Sequence, residues 1–432
     1  MASTNNYWRK VKLGSFCKII MGQSPPSSTY NIEGKGLPFF QGVKDFGRIY
    51  PSKRVYCTAN TQKIAEAGDV LLSVRAPVGE VNIAPEKCII GRGIAALRVM
   101  TGDKYDQRFL YYLMLFNKKI WKRFQSGTTF EEITYEDIKN LEVFIPEDIL
   151  ERHRIAEILG SLDDKIELNY EMNKTLEAIA QAIFENWFVN FEPFKDKLVY
   201  NKELGKKIPE EWEVRKISEL FDMVKGRRCD LLEKCRDTSE GCLPYLTIET
   251  FEEGALKYWT KEKHPFVEIE DIVLVADGER AGKILRFKTG VLGSTLLMLK
   301  QKSKNYDLRN YVFLLLKDME RELMRHKTGS AVPHLDKGYL ANLKIIIPQP
   351  PSIIENFNKF VKPIFEKIIL NLEEIATLRS IRDALLPKLL SGEIRVKVDV
   401  EKEFPEETKK LEEIKEKKAK IQVSLEKWLK NG

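Results

Sequence analysis

The side chains in this sequence best suited to recognition chemistry gather in loops bracketed by glycine. In the first third of the chain they are Gln23, Ser24, Gln41, Lys44, Arg48, Arg75, Arg92, Ser126 and Thr128. Past the middle they are Lys225, Arg227, Arg228, Thr247, Arg280, Lys283, Ser294, Lys327, Ser330 and His334. Arg and Lys neutralise phosphates or pair with guanine, Gln pairs with adenine, and glycine lets a backbone approach closely. Together these point to binding of double-stranded DNA. A charged side chain beside a glycine turn is common on any surface. Here the two sets fall in corresponding loops and differ in identity, which gives them weight.

Bond-making chemistry is harder to find. No GxxxxGKS/T phosphate loop, HExxH or GxSxG is present. Gly91 to Ala96 reads GRGIAA, a loose dinucleotide fingerprint, but the following ALRV reads as a strand where a helix is required. The tetrad of amino-methyltransferases is missing, since Pro25-Pro26 is followed by Ser27 and Pro350-Pro351 by Ser352. Cys229, Cys235 and Cys242 with His264 match no standard zinc spacing and read as separate thiols, so no metal site is expected. His153, His264, His326 and His334 are scattered. The expectation is a protein without its own catalysis.

The elements that position these loops are repeated. Trp212, Lys216, Ile217 and Gly226 follow Trp8, Lys12, Leu13 and Gly22 by 204 residues. LPYL at Leu243 echoes LPFF at Leu37, DIVL at Asp271 repeats DVLL at Asp69, and YDLRNYVFLLL at Tyr306 repeats YDQRFLYYLML at Tyr105. Gly329 to Pro348 follows Gly127 to Pro146 without a gap. Such a period is far above the roughly 20 to 50 residues of solenoid repeats, so whole domains are duplicated. Short β-like runs alternate with helical spacing in each, as in a mixed α/β domain.

Each domain runs into a long helix. From Ile155, alternating steps of four and three residues reach Leu159, Leu162, Ile166, Asn169, Asn173, Leu176, Ala180, Ile183 and Trp187, a coiled-coil seam. Adding 202 gives a second seam through Phe357, Val361, Ile364, Ile368, Asn371, Ile375, Leu378, Arg382, Leu385 and Leu389. Pairing the two requires an antiparallel two-helix coiled coil with pseudo-two-fold symmetry, a ruler of roughly 50 Å at about 1.5 Å per residue. Asn169 and Asn371 fall on the seams, where a buried amide fixes register and a solvent-facing one does nothing. Pro363 predicts a kink or restart in the second helix, and Pro387 with Gly392 its end.

The boundaries follow: recognition domains over 1–150 and 210–350, long helices over 151–191 and 351–396, a polar connector over 192–209 and a charged amphipathic helix over 397–432. In the last, Leu411, Ile414, Ile421, Leu425 and Trp428 share a face. With 432 residues, more than one core is expected. Lys and Arg number 71 against 64 Asp and Glu, a bias that permits a polyanionic partner without demanding one. Six cysteines without a CxxC pair fit a reduced cytoplasmic protein, and no apolar run is long enough to span a membrane.

Taken together, GDVLLSVRAPVG (Gly68 to Gly79), SGTTFEEIT from Ser126, NLEVFIP, and LLPKLLSGEIRV resemble the specificity subunit of type I restriction-modification systems. The resemblance covers the chain to about Val396. It implies two target recognition domains, each reading one half of a bipartite, non-palindromic DNA target. It also implies helices that set the spacer and dock two modification (methyltransferase) subunits, with restriction subunits joined through them. No cofactor is expected in this chain. Adenine methylation with AdoMet, and ATP- and Mg-dependent cleavage, belong to those partners. SVRAPVG becomes VADGERA in the second domain and GTT becomes GSA, so base contacts do not transfer between halves. A restriction or modification enzyme with an unrecognised site, and a scaffold that binds no DNA, are the competing readings.

Overall fold

A computed structural model describes residues 7–121, 132–233, 235, 241–252, 254, 256–303, 306–329, 332–395 and 405–431, the side chains of 405–408 and 424–431 excepted. The chain divides into two compact units, Met1–Glu167 with Thr377–Lys410 and Leu168–Ala376 with Leu411–Gly432.

In the first unit, alternating apolar runs pair as Cys17–Met21, Ile94–Val99, Val70–Ser73 and Val81–Ile83, an antiparallel sheet. A second sheet joins Tyr30–Asn31, Tyr56–Cys57, Leu37–Phe40, Cys88–Ile90 and Ile64–Ala65, with Leu37–Phe40 and Cys88–Ile90 running parallel. Trp8–Lys12 pairs with Glu142–Pro146, which ties the start of the domain to its end. Ile94–Val99 is a strand, so the loose dinucleotide fingerprint lacks its helix. The helix Lys104–Phe116 starts on Asp103, whose carboxylate accepts from the N–H groups of Tyr105 and Asp106. It buries Phe109, Leu110, Tyr112 and Leu113.

The second unit repeats this plan. Phe221–Lys225, Leu296–Gln301, Ile272–Val275 and Ile284–Leu285 form one sheet. Trp259–Thr260, Leu243–Leu246, Gly290–Leu292 and Phe266–Val267 form the other, with Leu243–Leu246 and Gly290–Leu292 parallel. Glu213–Lys216 pairs with Lys344–Ile347.

The first long helix is Ile149–Phe184, opened by Asp148 accepting from the Leu150 N–H and followed by a π-helical turn, Glu185–Val189. The second is Ser352–Leu390. It continues through Pro363, contrary to the expected interruption. A helix-interior proline costs ~3 kcal/mol. Here Val361, Ile364 and Phe365 are buried around it, and each such burial returns roughly 1.5–3 kcal/mol. Pro387 also lies inside the helix. The end comes at Gly392, whose φ of 74° suits glycine and where a Cβ would stand 2.8 Å from the Trp8 indole nitrogen.

Within each unit the helix segments run antiparallel. In the first, Glu151 meets Arg395 at 3.1 Å and Asp163 meets Arg382 at 2.7 Å. Ile155, Leu159 and Ile166 are buried there, as are Leu378, Leu385 and Leu389, while Leu162 is half-buried. In the second, Asn169 Nδ2 donates to Glu374 Oε2 at 3.0 Å, and Asn371 Nδ2 to Asn173 Oδ1 at 2.6 Å. Both asparagines are fully buried, so the amides belong to the seam. Val361, Ile364, Ile368 and Ile375 are buried beside them, with Leu176 and Ile183 half-buried.

Two further expectations need correction. The stretch 192–209 is not a plain polar connector. It holds a 3-10 turn, Glu192–Lys197, and a hairpin of Leu198–Asn201 with Lys206–Pro209, because Phe191, Phe194, Leu198 and Ile208 pack into the second unit's core. The thiols are not all separate either, since Cys235 and Cys242 form a disulfide. Their spacing of seven matches no motif, and the fold brings them together. The C-terminal helix is Pro405–Asn431. Its Ile414 is buried and its Lys418 pairs with Glu374, while the Leu425 and Trp428 side chains lie outside those described.

Candidate nucleic-acid interface

Three loops of the first unit converge because glycines let them. The Gly22 N–H donates to Ile94 O at 2.9 Å and the Gln23 N–H to Ile90 O at 3.0 Å. A Cβ on Gly22 would stand 2.2 Å from Gly91 O, and one on Gly93 would stand 2.6 Å from Gln41 O, so side chains are excluded at both. The Arg92 N–H reaches Ser24 Oγ at 3.4 Å, and Lys44 Nζ donates to Gln41 Oε1 at 2.7 Å. Buried Asp45 accepts from the Gln41 N–H at 2.6 Å and fixes that loop. Gln23, Ser24, Gln41, Lys44 and Arg92 are thereby brought to one place. Arg48 is directed elsewhere, onto Glu167 of the first long helix at 2.9 Å. Ser126 and Thr128 lie outside the described residues.

The second unit builds the same convergence with different side chains. The Gly226 N–H donates to Leu296 O at 3.0 Å, and Arg227 bridges to Gly293, where a Cβ would stand 2.1 Å from Leu246 O. Tyr245 clasps the loops: its hydroxyl donates to Arg227 O at 3.1 Å and accepts from the Ser294 N–H at 2.9 Å. The Thr247 N–H donates to Thr250 Oγ1 at 3.2 Å. Arg227, Arg228, Thr247 and Ser294 therefore share one place, with both arginines exposed.

Beside each convergence lies an ionic bridge of opposite polarity. In the first unit Arg75 holds Glu132 at 3.1 Å, next to the Ile133 N–H donating to Val74 O. At the corresponding backbone position of the second unit, where the Leu335 N–H donates to Ala276 O, the acid is Asp277 and the base His334, at 2.8 Å. Lys225 also binds Asp277. Burial works against the Asp277 carboxylate, yet the bonds from Lys225 and His334 outweigh it and hold its pKa below the ordinary aspartate value. Arg280 and Lys283 both bind Glu252, and Lys327 Nζ donates to Glu279 O. Ser330 lies outside the described residues.

One group of metal-like composition exists among the described residues: Asp103, Asp106 and His153, with ligand atoms within 4.8 Å of one another. Fully buried Asp106 is already bound by the Arg152 guanidinium at 2.8 Å, and Asp103 caps a helix. Asp106 thus holds the first long helix to the domain, and Asp103 fixes the start of the helix Lys104–Phe116.

Tyr245 and the acids Glu132, Glu167, Glu252 and Asp277 do not stand among the residues expected from sequence. Tyr245 had a signal, a hydroxyl added where the aligned strand of the first domain carries Phe39.

A duplicated α/β unit offering two loop clusters of one frame and unlike chemistry defines a two-headed recognition protein. Residues 5–178 and 209–378 each match the model of the type I restriction modification DNA specificity domain. The chain belongs to that family: it is a non-catalytic specificity subunit with two DNA-recognition domains. It is 32% identical over 422 residues to the type I restriction enzyme MjaIX specificity subunit of Methanocaldococcus jannaschii, covering 90% of this chain and 94% of that one. The HindI specificity subunit of Haemophilus influenzae is 26% identical over 358 residues, 66% of this chain and 77% of that one. The crystal structure of the type I S subunit from M. genitalium shares the fold at 20% identity and a TM-score of 0.57, covering 90% of this chain and 98% of that one. Among the described residues no helix is long and apolar enough to cross a membrane.

Proposed function

We propose that this chain reads a bipartite, non-palindromic DNA target, one half-sequence through each loop cluster, with the spacer set by the long helices. What carries the reading is the pair of convergences, alike in their glycine-dependent backbone and unlike in their side chains: Ser24, Gln41 and Arg92 in one, Arg227, Thr247 and Ser294 in the other. An unchanged frame with changed contact groups is what two different half-sites require.

In this reading the chain works in the cytoplasm within a complex. Two modification subunits dock on the helices, restriction subunits join through them, and AdoMet, ATP and Mg are bound by those partners. Mapping methylated adenines in a host carrying the complete gene set tests it. The expected result is one motif of two half-sequences at fixed separation. Replacing residues 1–150 by another domain of the family should then change one half only. A palindromic motif, or loss of both halves in the exchange, contradicts the proposal.

A further inference from the structure

Arg280 and Lys283 sit in a tight turn of the second unit. The Lys283 N–H closes onto Arg280 O at 3.0 Å, and Gly278 and Gly282 take φ values of 99° and 96°. Both cations reach one carboxylate: Arg280 Nη1 binds Glu252 Oε2 and Lys283 Nζ binds Glu252 Oε1. Glu252 ends the short helix Ile248–Glu252, which begins directly after Thr247 of the loop cluster. The group is open to solvent, with side-chain exposures of 54% for Arg280, 33% for Lys283 and 22% for Glu252.

Two observations set this group apart from a structural pin. In the first unit the Ser73 N–H donates to Glu80 O and the Gly79 N–H to Ser73 O, as the Val275 N–H donates to Lys283 O and the Gly282 N–H to Val275 O in the second. An acid, Glu80, therefore stands in place of Lys283, and the apolar Pro77 and Val78 where Arg280 falls, so the fold does not require cations there. The solvent-facing Arg280–Glu252 pair also adds little to stability, so opening it costs little. A phosphate offers the same oxygens to the same donors through equally strong charge-assisted bonds.

We infer that Glu252 is an internal counter-ion that holds Arg280 and Lys283 in the free protein and yields them to DNA phosphates on binding. The inference rests on the DNA-recognition reading above. Glu252 acts as a positioning residue: it keeps the two cations in place and leaves the group one positive charge instead of two, which weakens attachment to DNA of any sequence.

The test is equilibrium binding of the assembled complex to its cognate duplex and to an unrelated duplex across a KCl series. Glu252→Gln keeps the shape and removes the charge. It should bind both duplexes severalfold more tightly by a similar factor, leave the ratio between them unchanged, and steepen the slope of log affinity against log salt by about one. The double variant Arg280→Ala, Lys283→Ala should flatten the slope by about one, the single effective charge that Glu252 leaves to the group. In that background Glu252→Gln should have no further effect, an outcome that a merely structural role would not produce. A wild type that binds while Glu252→Gln matches it in affinity and slope overturns this inference alone. So does a Glu252→Gln effect that persists undiminished in the double variant. A wild-type complex that binds no duplex overturns the recognition reading, and this inference with it.

Discussion

At the scale of residues, the two bridges beside the loop clusters show one backbone position carrying opposite chemistry, Arg75 on Glu132 against His334 on Asp277. The Asp277 carboxyl is held below the usual value of about 3.9. A depressed carboxylate contributes stability that is present above its unfolded-state pKa and is lost as pH falls through the folded one. Asp277→Asn should therefore lower stability at pH 7 by about 0.5–1 kcal/mol, an exposed-pair magnitude. The deficit against wild type should shrink as pH falls toward about 3. Urea melts at both pH values check this, and an unchanged deficit would refute it. Which cations have partners was not legible in the sequence. Arg75 and Glu132 are 57 residues apart, Arg48 and Glu167 119, and such pairings are decided by tertiary packing. The loops themselves were legible, because glycines at Gly22, Gly91, Gly226 and Gly293 mark where backbones touch.

At the scale of elements, the helix segments of the two units solve the same packing problem differently. In the first unit Asp163 is 1% exposed, accepts from the Tyr112 hydroxyl at 2.8 Å and binds Arg382. The positions 202 residues away, Phe365 and Ala180, are both buried and apolar in the second. Arg382→Met should destabilise by about 3–5 kcal/mol, since it strands a buried charge. The double variant Arg382→Met, Asp163→Leu should recover most of the loss, as measured by denaturant unfolding. A double variant as unstable as the single one would show that the charge is not the cause. The seam was legible from its apolar spacing. Asp163 was not, because one charged residue beside a seam reads as solvated. Pro363 misled for the opposite reason: local preference argued for a break, and burial of its neighbours overrode it.

At the scale of the whole molecule, the duplication was the most legible feature, since the offset stays between 201 and 206 across strand, loop and helix. If the helices set the spacer, inserting one heptad in both should lengthen the spacer in the methylated motif and keep both half-sequences. Altered half-sequences would exclude that role. Neither unit is a continuous stretch of chain. The first needs Thr377–Lys410 as well as Met1–Glu167, so Ile155, Leu159 and Ile166 have no Leu378, Leu385 or Leu389 to meet when they leave the ribosome. At about 5–20 residues per second, the wait between Glu167 and Thr377 is on the order of ten to forty seconds. During every round of synthesis an apolar stripe stands uncovered for that time, the kind of transiently exposed surface that chaperones cover.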